Sequence, residues 1–105
     1  MRAGKLQARI QIERLQELVN DNGLVRKVWL PILTTRAETK EAGTTEFLLR
    51  EIEGDKARAV FLIRWPAQPI GTSDRITHAG KVWNITSLSE IGRRRGLEIR
   101  AEAVA

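Results

Sequence analysis

From Leu6 to Ile12 apolar and polar residues alternate: Leu6, Ala8, Ile10 and Ile12 face one way, Lys5, Gln7, Arg9 and Gln11 the other. That period of two predicts a half-buried strand. Further on, Ile12, Leu15 and Val19 also fit a helical repeat, but Asn20-Asp21-Asn22-Gly23 is a strong turn signal and favours a hairpin. The returning strand is expected from about Val28 to Glu38, with Pro31 at an edge or a bulge because proline cannot donate to a ladder. Ala57 to Trp65 alternates most clearly: Ala57, Ala59, Phe61, Ile63 and Trp65 share one face, and Val60 and Leu62 make the other partly apolar too. A strand apolar on both faces is expected to be covered on both sides or to lie in a subunit contact. Pro66 and Pro69 end it. Short strands then follow at Arg75–His78, at Lys81–Leu88 after an Ala79-Gly80 turn, and at Leu97–Ala103 after the basic turn Gly92–Gly96.

Residues 40–55 break this rhythm. Leu48 and Ile52 stand four apart, Glu46 and Glu51 can face solvent, and Gly54 suits a helix C′ position, so a short helix or an ordered loop is expected there. The whole predicts a mainly β fold: a small antiparallel barrel or sandwich of about six strands, with one short helix or long loop inserted between strands 2 and 3. Its length, 105 residues, allows one core, so residues 1–105 are expected to be a single domain with 38–55 as an acidic insertion.

Charge is segregated. The chain carries 18 Lys plus Arg against 13 Asp plus Glu, for a net +5. Between Glu38 and Asp55, however, six acids face two bases, giving −4 and leaving +9 on the remainder. An acidic insert in a basic body suits two faces with different partners, or simply a soluble surface. The absence of cysteine excludes disulfides, thiolate metal sites and cysteine nucleophiles, and His78 alone cannot make an ordinary zinc site. No apolar run approaches the length of a membrane span, and Arg2, Lys5 and Arg9 interrupt any leader-like stretch, so a soluble intracellular protein without membrane contact is expected.

Candidate chemistry is sparse. Ser73, Asp74 and His78 offer a nucleophile, an acid and a base, but a strand over 75–78 would hold Asp74 and His78 some 13 Å apart. They read better as a turn aspartate and a strand-end histidine. Gly92-Arg93-Arg94-Arg95-Gly96 is too short for a phosphate-binding loop and lacks the following helix. Its three arginines could still touch a polyanion without reading bases, or could merely keep a hairpin tip soluble. Trp29, Trp65 and Trp83 read as core or interface anchors before stacking platforms. No enzymatic activity, cofactor or metal is expected.

The order of features resembles the small head–tail joining proteins of tailed bacteriophages, also called head-completion, head-closure or stopper proteins. Arg9-Ile10-Gln11-Ile12-Glu13-Arg14 looks like the family's opening strand, and Trp29 followed by Ala37-Glu38 is similar to its W…A-E spacing. Gly43 with Glu46-Phe47 falls at its Gly-x-Glu-aromatic segment, and Ile63-Arg64-Trp65 resembles its I-R-Y/W strand end. The best local match is Asp74-Arg75-Ile76-Thr77-His78-Ala79-Gly80-Lys81-Val82-Trp83-Asn84-Ile85, similar to D-R-[IV]-x-x-x-G-[KR]-x-[WYF]-x-I. The chain departs at Trp65-Pro66-Ala67-Gln68-Pro69-Ile70, where Ala67-Gln68 stands in place of a bare Pro-Gly turn.

The resemblance implies a non-catalytic virion protein, assembled in the bacterial host cytoplasm, that forms a ring below the portal, commonly twelvefold or sixfold. Such a ring closes the DNA exit channel and docks the tail. The implied partners are the portal or adaptor ring, a tail-completion or tail-tube protein, further copies of the chain and the passing double-stranded DNA. On that reading Glu38, Glu41, Glu46, Phe47, Leu48, Arg50 and Glu51 are the expected protein-contact residues, and Arg93, Arg94 and Arg95 the expected DNA-facing ones. The alternative, from the basic charge and small barrel alone, is a free nucleic-acid-binding module of the OB or SH3-like kind.

Overall fold

The computed structural model describes residues 6–41 and 57–104. They form six strands: β1 (Ala8–Val19), β2 (Val25–Glu41), β3 (Arg58–Arg64), β4 (Arg75–His78), β5 (Lys81–Ile91) and β6 (Gly96–Ala103). All pairings are antiparallel, and the sheet closes into a barrel in the order β1-β2-β3-β6-β5-β4. The expected fold class holds. The short helix or loop expected over 40–55 lies mostly outside the described residues; only Lys40 and Glu41 are described there, and they continue β2 against Val60 and Ala59.

The inward positions are those the alternation predicts. Ile10 and Ile12, Ala37, the β3 set Ala59, Phe61 and Ile63, then Ile76, Trp83, Ile85, Leu97, Ile99 and Ala101 make one buried cluster. Trp83 and Phe61 fill its middle edge to face, with ring centroids 5.8 Å apart. On β3 the second apolar face is also partly covered: Val60 is buried and Leu62 half-buried, opposite Arg100 and Glu98 of β6.

Two bulges shape the barrel. In the β1–β2 ladder Ile12 opposes Leu33 but Glu13 opposes Pro31, so the register steps beside the proline, as its missing N–H demands. In β5 the register steps between Ile85 and Ser87, and the Thr86 hydroxyl donates to the Arg100 carbonyl at 3.1 Å. Between β4 and β5, Ala79 (φ 51°) and Gly80 (φ 78°) make a two-residue turn with both residues left-handed, the conformation that matches strand twist.

The closing seam is short. Strand β4 meets β1 at three register pairs only, Gln11–Thr77, Ile12–Ile76 and Glu13–Arg75. Side chains reinforce it. Arg75 donates to Glu13 at 2.8 Å, and Arg14 donates to both oxygens of Asp74 at 2.9 and 3.0 Å and to the Pro69 carbonyl at 2.9 Å. The Arg75 guanidinium also lies 4.3 Å from the centre of the Trp29 ring.

Candidate functional site

The longest departure from a plain barrel is the β1–β2 hairpin. Past Glu13, β1 runs on for six residues paired only with β2, so at about 3.3 Å per residue the ribbon reaches roughly 20 Å beyond the barrel. Its turn is well made. The Asn20 side-chain oxygen accepts from the Asn22 and Leu24 N–H groups at 3.0 and 2.9 Å, and Gly23 supplies φ 79°.

Directly opposed residues share a face, so one side of the ribbon carries Leu15–Trp29, Glu17–Lys27 and Val19–Val25, the other Arg14–Leu30, Gln16–Val28 and Leu18–Arg26. At the ribbon's base Arg75 lies over Trp29 and Arg14 reaches Asp74; beyond that, neither side is covered by the described residues. Leu15, Leu18 and Leu30 are exposed, and Val19, Leu24 and Val25 are each about two-thirds exposed. The large exposed apolar residues described outside the ribbon are Trp65 and Val104. A two-stranded ribbon is marginal in water on its own, and this one shows apolar groups on both faces, the pattern of a surface that seats against another molecule.

A second surface lies at the same end of the barrel. Trp65, Pro66, Pro69, Ile70, Leu88 and Leu97 line an open groove of about 420 Å³, with Arg94 at its edge. The Arg94 guanidinium is 5.8 Å from the centre of the Trp65 ring and 4.0 Å from Glu90. Arg94 takes φ 57° and Gly92 φ 62°, so the basic turn is a formed loop with Arg93, Arg94 and Arg95 exposed. It does not present three equivalent cations: Arg94 already faces a ring and an acid.

The remaining predicted residues fall elsewhere. Glu38 is half-buried on β2 opposite Leu62, and Glu41 ends β2 opposite Ala59. Glu46, Phe47, Leu48, Arg50 and Glu51 lie outside the described residues.

The Ser73, Asp74 and His78 group does not assemble. Asp74 is buried against Arg14 and the Gly71 N–H, which donates at 2.9 Å, whereas His78 sits at the far end of β4 with Nδ1 3.1 Å from the Arg9 carbonyl oxygen. Burial pushes the Asp74 carboxyl up, but the Arg14 hydrogen bond, the Gly71 N–H and the Arg14 charge together hold it below the ordinary aspartate value. Trp83 is core and Trp29 lies beneath Arg75, so the three tryptophans form no common stacking platform. No cluster of metal-ligating side chains occurs among the described residues.

Sequence reasoning missed the ribbon as a surface. Its signal was present: Leu15, Leu18, Val19, Leu24 and Val25 fit neither a clean strand nor a clean helix face, as an element with two uncovered sides would show.

The described residues thus define a small closed β-barrel with an exposed apolar ribbon. Comparison with known proteins narrows the class. The solution structure of protein SF1141 from Shigella flexneri 2a superposes with a TM-score of 0.74 at 26% identity, covering 100% of this chain and 98% of that one. A chain in the virion of a native gene transfer agent particle shares the fold, with a TM-score of 0.61 at 20% identity over 94% of this chain and 96% of that one. No curated protein matches the sequence. The model of the phage head completion protein family matches residues 1–104, and the chain belongs to that family. Its role is therefore that of a structural virion component of the head–tail connector, and the free nucleic-acid module is not favoured.

Proposed function

We propose that the chain is a non-catalytic connector subunit that forms a ring below the portal, closes the DNA exit channel and docks the tail, with the β1–β2 ribbon as its main protein contact. The observation that carries this is the ribbon itself: apolar side chains stand exposed on both faces of an element that contributes nothing to the barrel core. The head completion family supplies the setting, and the described surfaces supply a means of contact. The groove beside Trp65 offers a second apolar surface at the same end of the barrel.

The test is complementation of particles lacking this chain. Leu18→Asp with Val25→Asp places two charges on opposite faces of the ribbon without touching the core. The variant is expected to melt within a few degrees of wild type while tailed particles fall at least tenfold and tailless heads accumulate. A wild-type yield of tailed particles would remove the ribbon from the contact.

A further inference from the structure

We infer that Arg9, Arg36 and Arg64 form a binding row for the phosphate backbone of double-stranded DNA on the outer face of β1, β2 and β3. Arg9 and Arg36 are directly opposed in the β1–β2 ladder. Ala37 opposes Ile63 in the β2–β3 ladder, which sets Arg64 beside Arg36 at the next position. The neighbours of these arginines, Ile10, Ala37 and Ile63, point into the core, so the three share the outer face, and all three are exposed. Arg36 and Arg64 further line one open depression with Leu6 and Thr35.

Like charges directly opposed across strands are destabilising, and elsewhere the chain sets acids against its arginines. Arg14 meets Asp74, Arg75 meets Glu13, Arg100 meets Glu98, Arg58 meets Glu102 and Arg94 meets Glu90. No ion pair joins Arg9, Arg36 or Arg64 to any described carboxylate. Glu38 stands two residues along β2 on the same face, one acid against three bases. Arg26 and Lys27 on the ribbon, Lys81 on β5, and Arg93 and Arg95 in the basic turn are the other bases with described side chains and no such partner, and none of them forms a cross-strand row.

The row's dimensions favour a polymer over a small anion. Three adjacent strands set the arginines across about 10 Å, at 4.7–4.9 Å per step. One strand of duplex DNA carries a charge every 3.4 Å or so of axis, so the row faces about three phosphates. It lies on the open outside of the barrel, where a rod can approach. The Trp65 N–H donates to the Arg95 carbonyl at 3.3 Å, which brings the basic turn to the end of the row, but Arg94 there is already engaged. The DNA contact therefore moves from the turn tip to the sheet. The inference rests on the proposed connector role for its setting alone; the binding can be measured on the purified chain.

The full chain is titrated with a 24-base-pair duplex at about 50 and 200 mM salt. Three phosphate contacts predict a salt slope near −2.7 and roughly a 40-fold loss of affinity across that range. Arg36→Gln should lower the slope by about 0.9. The triple change Arg9→Gln, Arg36→Gln, Arg64→Gln should remove duplex binding, with a melting temperature equal to or above wild type because the opposed charges are gone. Undetectable duplex binding at 50 mM salt, or a triple variant that binds like wild type, would overturn the inference. So would loss of binding only in a variant with Arg93, Arg94 and Arg95 changed to Gln, or binding of an acidic peptide at the row without binding of duplex. None of these outcomes bears on tail joining by the ribbon, so the two readings fail separately.

Discussion

Asp74 shows what one residue contributes here. Its carboxylate accepts from Arg14 and from the Gly71 N–H, tying the segment before β4 to β1 beside the three-pair seam that closes the barrel. Asp74→Ala strips these acceptors from a buried position and should cost about 2 kcal/mol, read by chemical denaturation. Because the folded carboxyl lies below its ordinary value of 3.8, its contribution is complete above that pH and is lost as pH falls through the folded value. Stability curves of wild type and variant should therefore converge below about pH 4. Trp83 makes the complementary case. It is fully buried against Phe61, yet its indole N–H has no hydrogen-bond partner among the described residues. Trp83→Ala should cost about 3–5 kcal/mol, and Trp83→Phe clearly less, since it keeps most of the volume and removes the orphan donor. The sequence places Asp74 in a turn, but it cannot show that the aspartate's partner is Arg14, sixty residues earlier. Long-range ion pairs leave no local period.

At the level of elements, the strands with one inward face were readable, and the ribbon was readable as a hairpin but not as a surface. Leu6 to Ile12 and Ala57 to Trp65 alternate because one side meets the core, and Pro31 marks its bulge because it lacks a donor. Beyond Ile12 alternation fades, since neither face of the ribbon joins the core, and Ile12, Leu15 and Val19 then mimic a helix. β1 runs to Val19, up to the expected Asn20–Gly23 turn, and β5 runs to Ile91, three residues past its expected end at Leu88. The ribbon should behave as the least stable part of the free chain. Hydrogen exchange is expected to be fastest in the amides of Leu15–Trp29 and slower in those of β3 and β6; uniform protection would mean the ribbon is held by the barrel itself. The β4–β5 turn gives a sharper check. Gly80→Ala forces a side chain onto φ 78° and should cost about 1 kcal/mol, although the added carbon meets nothing within 4 Å.

For the whole molecule, six alternating segments were enough to anticipate a small antiparallel barrel, while the strand order was not legible. Nothing local in β3 says that it pairs with β6, or that β4 returns to β1 to close the ring. The charge segregation read from composition takes on a different form in three dimensions. The described acids mostly answer arginines one for one, and the basic excess collects partly in a cross-strand row that a linear scan cannot see, because Arg9, Arg36 and Arg64 are far apart in the chain. The triple-arginine turn drew attention by adjacency; the row is made by register. Both surfaces are proposed contacts, and the assembled particle is the place to test them.

The most direct measurement is a cryo-electron microscopy reconstruction of the tail vertex of a particle containing this chain. The account predicts copies of the barrel in a ring below the portal, with Leu18, Val19, Leu24 and Val25 buried against a neighbouring chain. A vertex that lacks the chain, or a ribbon left wholly in solvent, would contradict it.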